Sequence, residues 1–172
     1  MSEGNEHPAV KKLGQAFPRV IRNVVTGFEE TAIVVDKRDL AKVCWFLRDD
    51  PDLGYDHLSD MGGVDYLGKK DVRFELFYQL YSTKNHDRLR VKVEIGEGER
   101  IPTVTKIWAS ADWPERECWE MFGVYFDNHP DLRRLLTIDE FEGYPLRKDF
   151  PLMGKTEIVE GFEGGVKWRS RD

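Results

Sequence analysis

Two runs of strict alternation fix most of what this chain can fold into. In Val72–Tyr81 (VRFELFYQLY), Phe74, Leu76, Tyr78 and Leu80 fall on one face and Arg73, Glu75, Phe77 and Gln79 on the other. In Leu89–Ile95 (LRVKVEI), Leu89, Val91, Val93 and Ile95 share a face. A period of two is the mark of a strand buried on one side, and the intervening STKNHDR predicts a hairpin loop. Val20–Phe28 and Thr31–Val35 are β-branched and separated by Glu29-Glu30, so they read as a further strand pair. A sheet with one apolar face needs a cover. Candidates are a short helix over Ala9–Phe17 and a longer one starting at Asp36 or Lys37, with Leu40, Val43, Cys44 and Leu47 inward and Pro51 as its stop. Tyr55–Leu67 reads as turn-rich around Gly62-Gly63, and Ile101–Trp108 as a short helix or turn. The expected class is α+β: a small, mostly antiparallel sheet with helices on one face.

The next helix is expected to begin at Asp112, with Glu115 at the spacing of a capping box and Pro114 harmless in the first turn. Glu115 and Glu117 complement the positive end of the helix dipole. Gly123 is placed to end the helix in a left-handed conformation. Beyond Leu136 the periodicity fades. In GYPLRKDFPL, Pro145 and Pro151 exclude a continuing helix, so an extended arm follows, anchored by Phe141, Tyr144, Leu146, Phe150, Leu152, Phe162 and Trp168. The organisation expected is an α+β domain over 1–110, a helix–turn unit over 111–136 packed on it, and an extended partner-binding arm over 137–172. Tail residues after Gly154 are expected to be mobile without a partner.

Composition narrows the chemistry. A net charge of −6 argues against nucleic acid or anionic lipid as the main partner. Two cysteines, Cys44 and Cys118, cannot hold an iron–sulfur cluster on their own, and the four histidines show no zinc-ligand spacing. The N-terminus MSEGNEHPAVKK lacks the apolar segment of a secretory signal, and no apolar run approaches the roughly 20 residues that span a bilayer. No phosphate loop, dinucleotide fingerprint or nucleophile elbow is present. Glu115 and Glu117 could be an acid/base pair, but helix positions i and i+2 point apart, so they do not share a substrate. Cys118 beside Trp119 and Phe122 reads as a buried thiol, and His129 in the turn NHPD as a structural histidine. Arg133-Arg134 and Arg147-Lys148 sit among acids, which favours ion pairs within the chain or with a partner. Aromatics interleaved with arginines from Trp113 to Phe150 suit core and interface equally.

One stretch is specific enough to name a family. PERECWEMFGVYFDNHPDLRRLL followed by GYPLRKDFPL resembles the signature of the C subunit, the 30-kilodalton chain family, of respiratory NADH:quinone oxidoreductase (complex I). Glu120 stands where many members have Asp, with the charge retained. The resemblance implies a structural subunit with no cofactor of its own, FMN and iron–sulfur clusters lying in other subunits. It implies a hetero-oligomer, a position in the peripheral arm beside the D subunit, and attachment to the cytoplasmic side of the inner membrane. The complex would pass electrons from NADH to quinone and translocate protons. Glu115, Arg116, Glu117, Glu120, Gly123 and His129 would fix the helix–turn unit. Arg133, Arg134, Tyr144, Arg147, Lys148, Asp149 and Phe150 would meet the partner. The equivalent subunit of a plastid-type or hydrogenase-type complex is the alternative, and an independent enzyme using Glu117 and His129 the rival.

Overall fold

In the computed structural model, residues 7–27, 30–152, 156–159 and 167–170 are described. Helix α1 (Pro8–Ala16) is followed by strands β1 (Ile21–Gly27) and β2 (Glu30–Val35), then helix α2 (Leu40–Asp49) and strands β3 (His57–Asp65), β4 (Phe74–Ser82) and β5 (Asp87–Ile95). These five strands form one sheet in the order β1-β2-β5-β4-β3. The expected hairpin is there, with Leu76 opposite Val93 and Leu80 opposite Leu89. Its turn is held by the Asn85 amide, which donates to the carbonyls of Asp52 and Leu53. Three of the four pairings are antiparallel, and β2 runs parallel to β5, with Ile33 opposite Val91. The class is α+β, and the sheet is mixed.

Alternation sets the burial. Phe74, Leu76, Tyr78, Leu80, Leu89, Val91, Val93 and Ile95 are all buried in one core with Leu40, Val43, Cys44 and Leu47 of α2. On the far face, Arg90 donates to the Gln79 side chain at 2.8 Å and Lys92 reaches Glu75 at 2.9 Å. These cross-strand polar pairs tie the strands together on that face while the other is packed in the core.

Three local expectations are corrected. Helix α2 begins at Leu40 rather than at Asp36 or Lys37, because the Asp36 carboxylate takes the Arg38 backbone N–H and guanidinium and forms a turn first. Gly62-Gly63 is strand, not turn. A Cβ on Gly62 would stand 2.8 Å from the Phe77 ring, and one on Gly63 3.0 Å from the Phe122 ring. The glycines let aromatic rings close on both faces of β3. Ile101–Trp108 begins with strand β6 (Arg100–Pro102), which pairs in parallel with β7 (Tyr125–Asp127), before a turn in which Ile107 N–H donates to Val104 O.

The helix–turn unit shares the main core. Helix α3 (Asp112–Phe122) contributes Cys118, Met121 and Phe122, and β6 and β7 contribute Ile101 and Phe126. Within the arm, β8 (Thr156–Val159) pairs antiparallel with β9 (Lys167–Ser170). The expected anchor Phe162 and much of the tail after Gly154 lie outside the described residues.

Candidate functional site

Helix α3 follows a short 3-10 turn, Ala109–Ala111, so Asp112 N–H already donates to Ala109 O. The capping box is therefore absent: the residue before the helix is Ala111, and no side chain caps it. Glu115 turns instead to the loop after β6. It is fully buried, and its carboxylate accepts from Val104 N–H at 2.7 Å and from the Thr103 hydroxyl. Glu117 is exposed and lies outside the first turn, so it is not the expected dipole partner, and the two carboxylates diverge. The ring of His129 is 1% exposed, with Nε2 at 3.1 Å from Asp112 O and Nδ1 accepting from Asp131 N–H. Burial pushes the Cys118 thiol far up, so it is no nucleophile.

The same helix clamps the chain that follows it. Arg116 and Glu120, one turn apart on α3, are both buried. Arg116 donates to the carbonyls of Arg133 and Arg134 at 3.0 and 3.2 Å. The Glu120 carboxylate accepts the N–H groups of Leu135, Leu136 and Thr137 at 2.6 to 3.2 Å, and the Thr137 hydroxyl. Burial alone would raise this carboxyl. The Thr137 hydroxyl and the three N–H groups outweigh it and hold the group below the usual range. The clamp grips mostly main chain, so it fixes the path of 133–137 and leaves the Arg133 and Leu136 side chains of that strap turned out.

Gly123 ends α3 in the left-handed region at φ 74°, as expected from its position. It is also a platform: a Cβ there would lie 2.6 Å from both Arg147 Nη2 and Tyr144 Cζ. The strap crosses at this point and satisfies the helix's last carbonyls. Leu146 N–H donates to Met121 O at 3.1 Å, and Arg147 Nε to Phe122 O at 2.6 Å. A cation at a helix C-terminus also suits its dipole.

Beyond Arg147 the strap enters an ionic network. Arg73 binds Asp65 through two nitrogens at 3.2 and 3.0 Å, Glu97 at 2.9 Å and Asp149 at 2.6 Å. Arg147 also reaches Glu97 at 2.8 Å, and Lys148 N–H donates to Asp65 at 2.9 Å. Arg134 closes the 137–141 turn by donating to Phe141 O, and Phe150 stacks on Phe141 with centroids 5.9 Å apart. Of the residues expected to meet a partner, Arg134, Tyr144, Arg147, Asp149 and Phe150 thus make contacts within the chain. Arg133 (side chain 75% exposed, paired with Asp131) and the Lys148 side chain face out. Asp65, Arg73, Glu97, Thr103 and Thr137 were not singled out by sequence. Among the described residues, no three His, Cys, Asp or Glu side chains are grouped to hold a metal, and no helix is long and apolar enough to cross a membrane.

Four apolar side chains of 133–152 are exposed: Leu136 (66% exposed), Ile138, Leu146 and Leu152. The site is thus a partly apolar surface whose backbone is held by α3.

Residues 33–156 match the family model of the respiratory-chain NADH dehydrogenase 30 Kd subunit. The chain is 45% identical over 155 residues to the C subunit of NADH-quinone oxidoreductase from Geotalea uraniireducens, covering 90% of this chain and 92% of that one. It is 42% identical over 147 residues to the C 2 subunit of the oxidoreductase from Rhizobium meliloti, covering 86% and 80%. Among solved structures it resembles the trypsin-resistant fragment (1–134) of Nqo5, at TM-score 0.60 and 30% identity, over 72% of this chain and 99% of that one. With its signature helix, left-handed glycine and clamped strap all inside the matched region, this chain belongs to the family of the respiratory-chain NADH dehydrogenase 30 Kd subunit.

Proposed function

We propose that the chain is a non-catalytic structural subunit of the peripheral arm of a proton-translocating NADH:quinone oxidoreductase. One observation carries this reading. Arg116, Glu120 and Arg147 are engaged within the chain, in shaping the strap, while Leu136, Ile138 and Leu146 are exposed at its surface. Exposed apolar side chains on a held backbone suit a docking surface, because preorganisation lowers the entropy lost on binding. The partner is the D subunit, with Arg133 and Lys148 available at the rim and the segment beyond Leu152 following the same neighbour. FMN and iron–sulfur clusters belong to other subunits, and the complex sits on the cytoplasmic side of the inner membrane, held there by its partners.

Affinity capture of the tagged chain from detergent-solubilised membranes tests this. The expected eluate contains flavin and iron and reduces quinone with NADH. The chain eluting alone, or a purified chain that itself turns over NADH, would overturn the reading.

A further inference from the structure

Four carboxylates are buried among the described residues, and one of them lacks a strong cation. Asp65 has Arg73 at 3.0 Å, Glu75 has Lys70 and Lys92 at 2.7 and 2.9 Å, and Glu120 has Arg134 at 4.0 Å. Glu115 has only the His129 ring, with Nε2 3.8 Å from Oε2. That ring does not supply a compensating hydrogen bond. Its Nδ1 faces the Asp131 N–H and must be an acceptor, so the hydrogen is on Nε2, aimed at Asp112 O. The other groups around Glu115 add no positive charge. Asp112, on its own helix, repels it and has a buried oxygen, Oδ1, with no hydrogen-bond partner. Tyr78 of β4, Cys44 of α2 and Cys118 of α3 all feel its charge, and the Tyr78 hydroxyl is likewise buried without a partner.

What Glu115 does have is a way for a proton to come and go. Its Oε2 faces the Thr103 hydroxyl, and Thr103 Oγ1 lies 2.9 Å from Thr105 Oγ1. Both threonines are partly exposed. In the ionised state the Thr105 hydroxyl donates to Thr103, which donates to Glu115. In the protonated state Oε2–H donates to Thr103 and both hydroxyls reverse. Val104 N–H stays on Oε1 throughout. One proton enters or leaves, and no backbone has to move.

We propose that the Glu115 carboxyl is a reversible proton-binding site of this fold, loaded and unloaded through the Thr103 and Thr105 hydroxyls. Burial is the largest influence on the group and pushes it up to about 7, against the opposing hydrogen bonds of Thr103 and Val104. The site therefore changes occupancy in the physiological range. This inference is independent of the docking proposal, since it concerns the isolated chain.

Titration of the full chain carrying 13C-labelled glutamate carboxyls, followed by NMR, reads the site directly. The expected result is one carboxyl signal, missing in Glu115→Gln, with its midpoint within about one unit of pH 7. Thr103→Val removes a donor to the ionised form, so the midpoint should rise by about half a unit or more, roughly a threefold gain in proton affinity, and Thr103→Ser should restore it. If Glu115→Gln does not fold, the shift between the Thr103 variants identifies the signal. No glutamate signal titrating within that window in the native chain overturns the site, and an unmoved midpoint in Thr103→Val overturns the relay.

Discussion

Glu120→Ala is expected to lower the unfolding free energy by about 3 to 4 kcal/mol, far more than a surface charge is worth, because it strands three N–H donors at once. Leu135, Leu136 and Thr137 all donate to that one carboxylate, and its 1% exposure leaves little water to replace it. Glu120→Gln should lose nearly as much, since an amide nitrogen facing N–H donors cannot accept from them. Glu120→Asp keeps the acceptor with a shorter reach and should lose least. Urea denaturation gives the order, and hydrogen exchange at 135–137 shows whether the loss is local. The pH dependence has a definite sign. The folded carboxyl is held below its ordinary value of 4.5, so its stabilisation is present above 4.5 and is lost as pH falls through the folded value. Native chain and Glu120→Ala should therefore converge in acid. Equal midpoints at neutral pH would show that α3 does not clamp the strap.

Arg73→Ala is expected to cost about 3 to 5 kcal/mol, the range for removing one partner of a buried ion pair. Arg73 is the common partner of Asp65, Glu97 and Asp149, and Asp65 is buried. Without the guanidinium, Asp65 keeps only the N–H groups of Leu67 and Lys148. Arg73→Lys should fall between, because an ammonium cannot reproduce a fork serving three carboxylates. The end of the strap should loosen with it, so trypsin cleavage after Lys148 should quicken on the order of tenfold, tracking the open population. A double variant, Arg73→Ala with Asp65→Asn, should lose less than the two separate effects combined. Additivity would mean that the network is not a unit.

What the sequence could show of this depends on where each residue's partner lies. Strands β4 and β5 were legible because period-two burial is local, and so were the inward stripe of α2 and Gly123 as a helix terminator. Strand β3 was not, since Gly62-Gly63 carries turn chemistry and its true reason is the rings of Phe77 and Phe122, distant in sequence. Asp112 and Glu115 had capping-box spacing, but the loop at Thr103 and Val104 took the carboxylate. The clamp was hidden for a different reason. Arg116 and Glu120 bind main-chain groups of 133–137, and main-chain partners leave no residue-type signal. Arg73 falls on the polar side of an alternating strand, and its network is assembled from Asp65, Glu97 and Asp149, which no local pattern links. The motif charges were visible; whether they faced inward or toward a partner was not.

The docking account is tested most directly by Leu136→Asp in cells whose membranes hold no other copy of the chain. Leu136 is largely exposed, and its backbone rather than its side chain is clamped, so the purified variant should unfold within about 0.5 kcal/mol of the native chain. The account predicts that this folded variant is absent from the solubilised complex and that NADH–quinone reductase activity falls with it. Normal incorporation and full activity would contradict it.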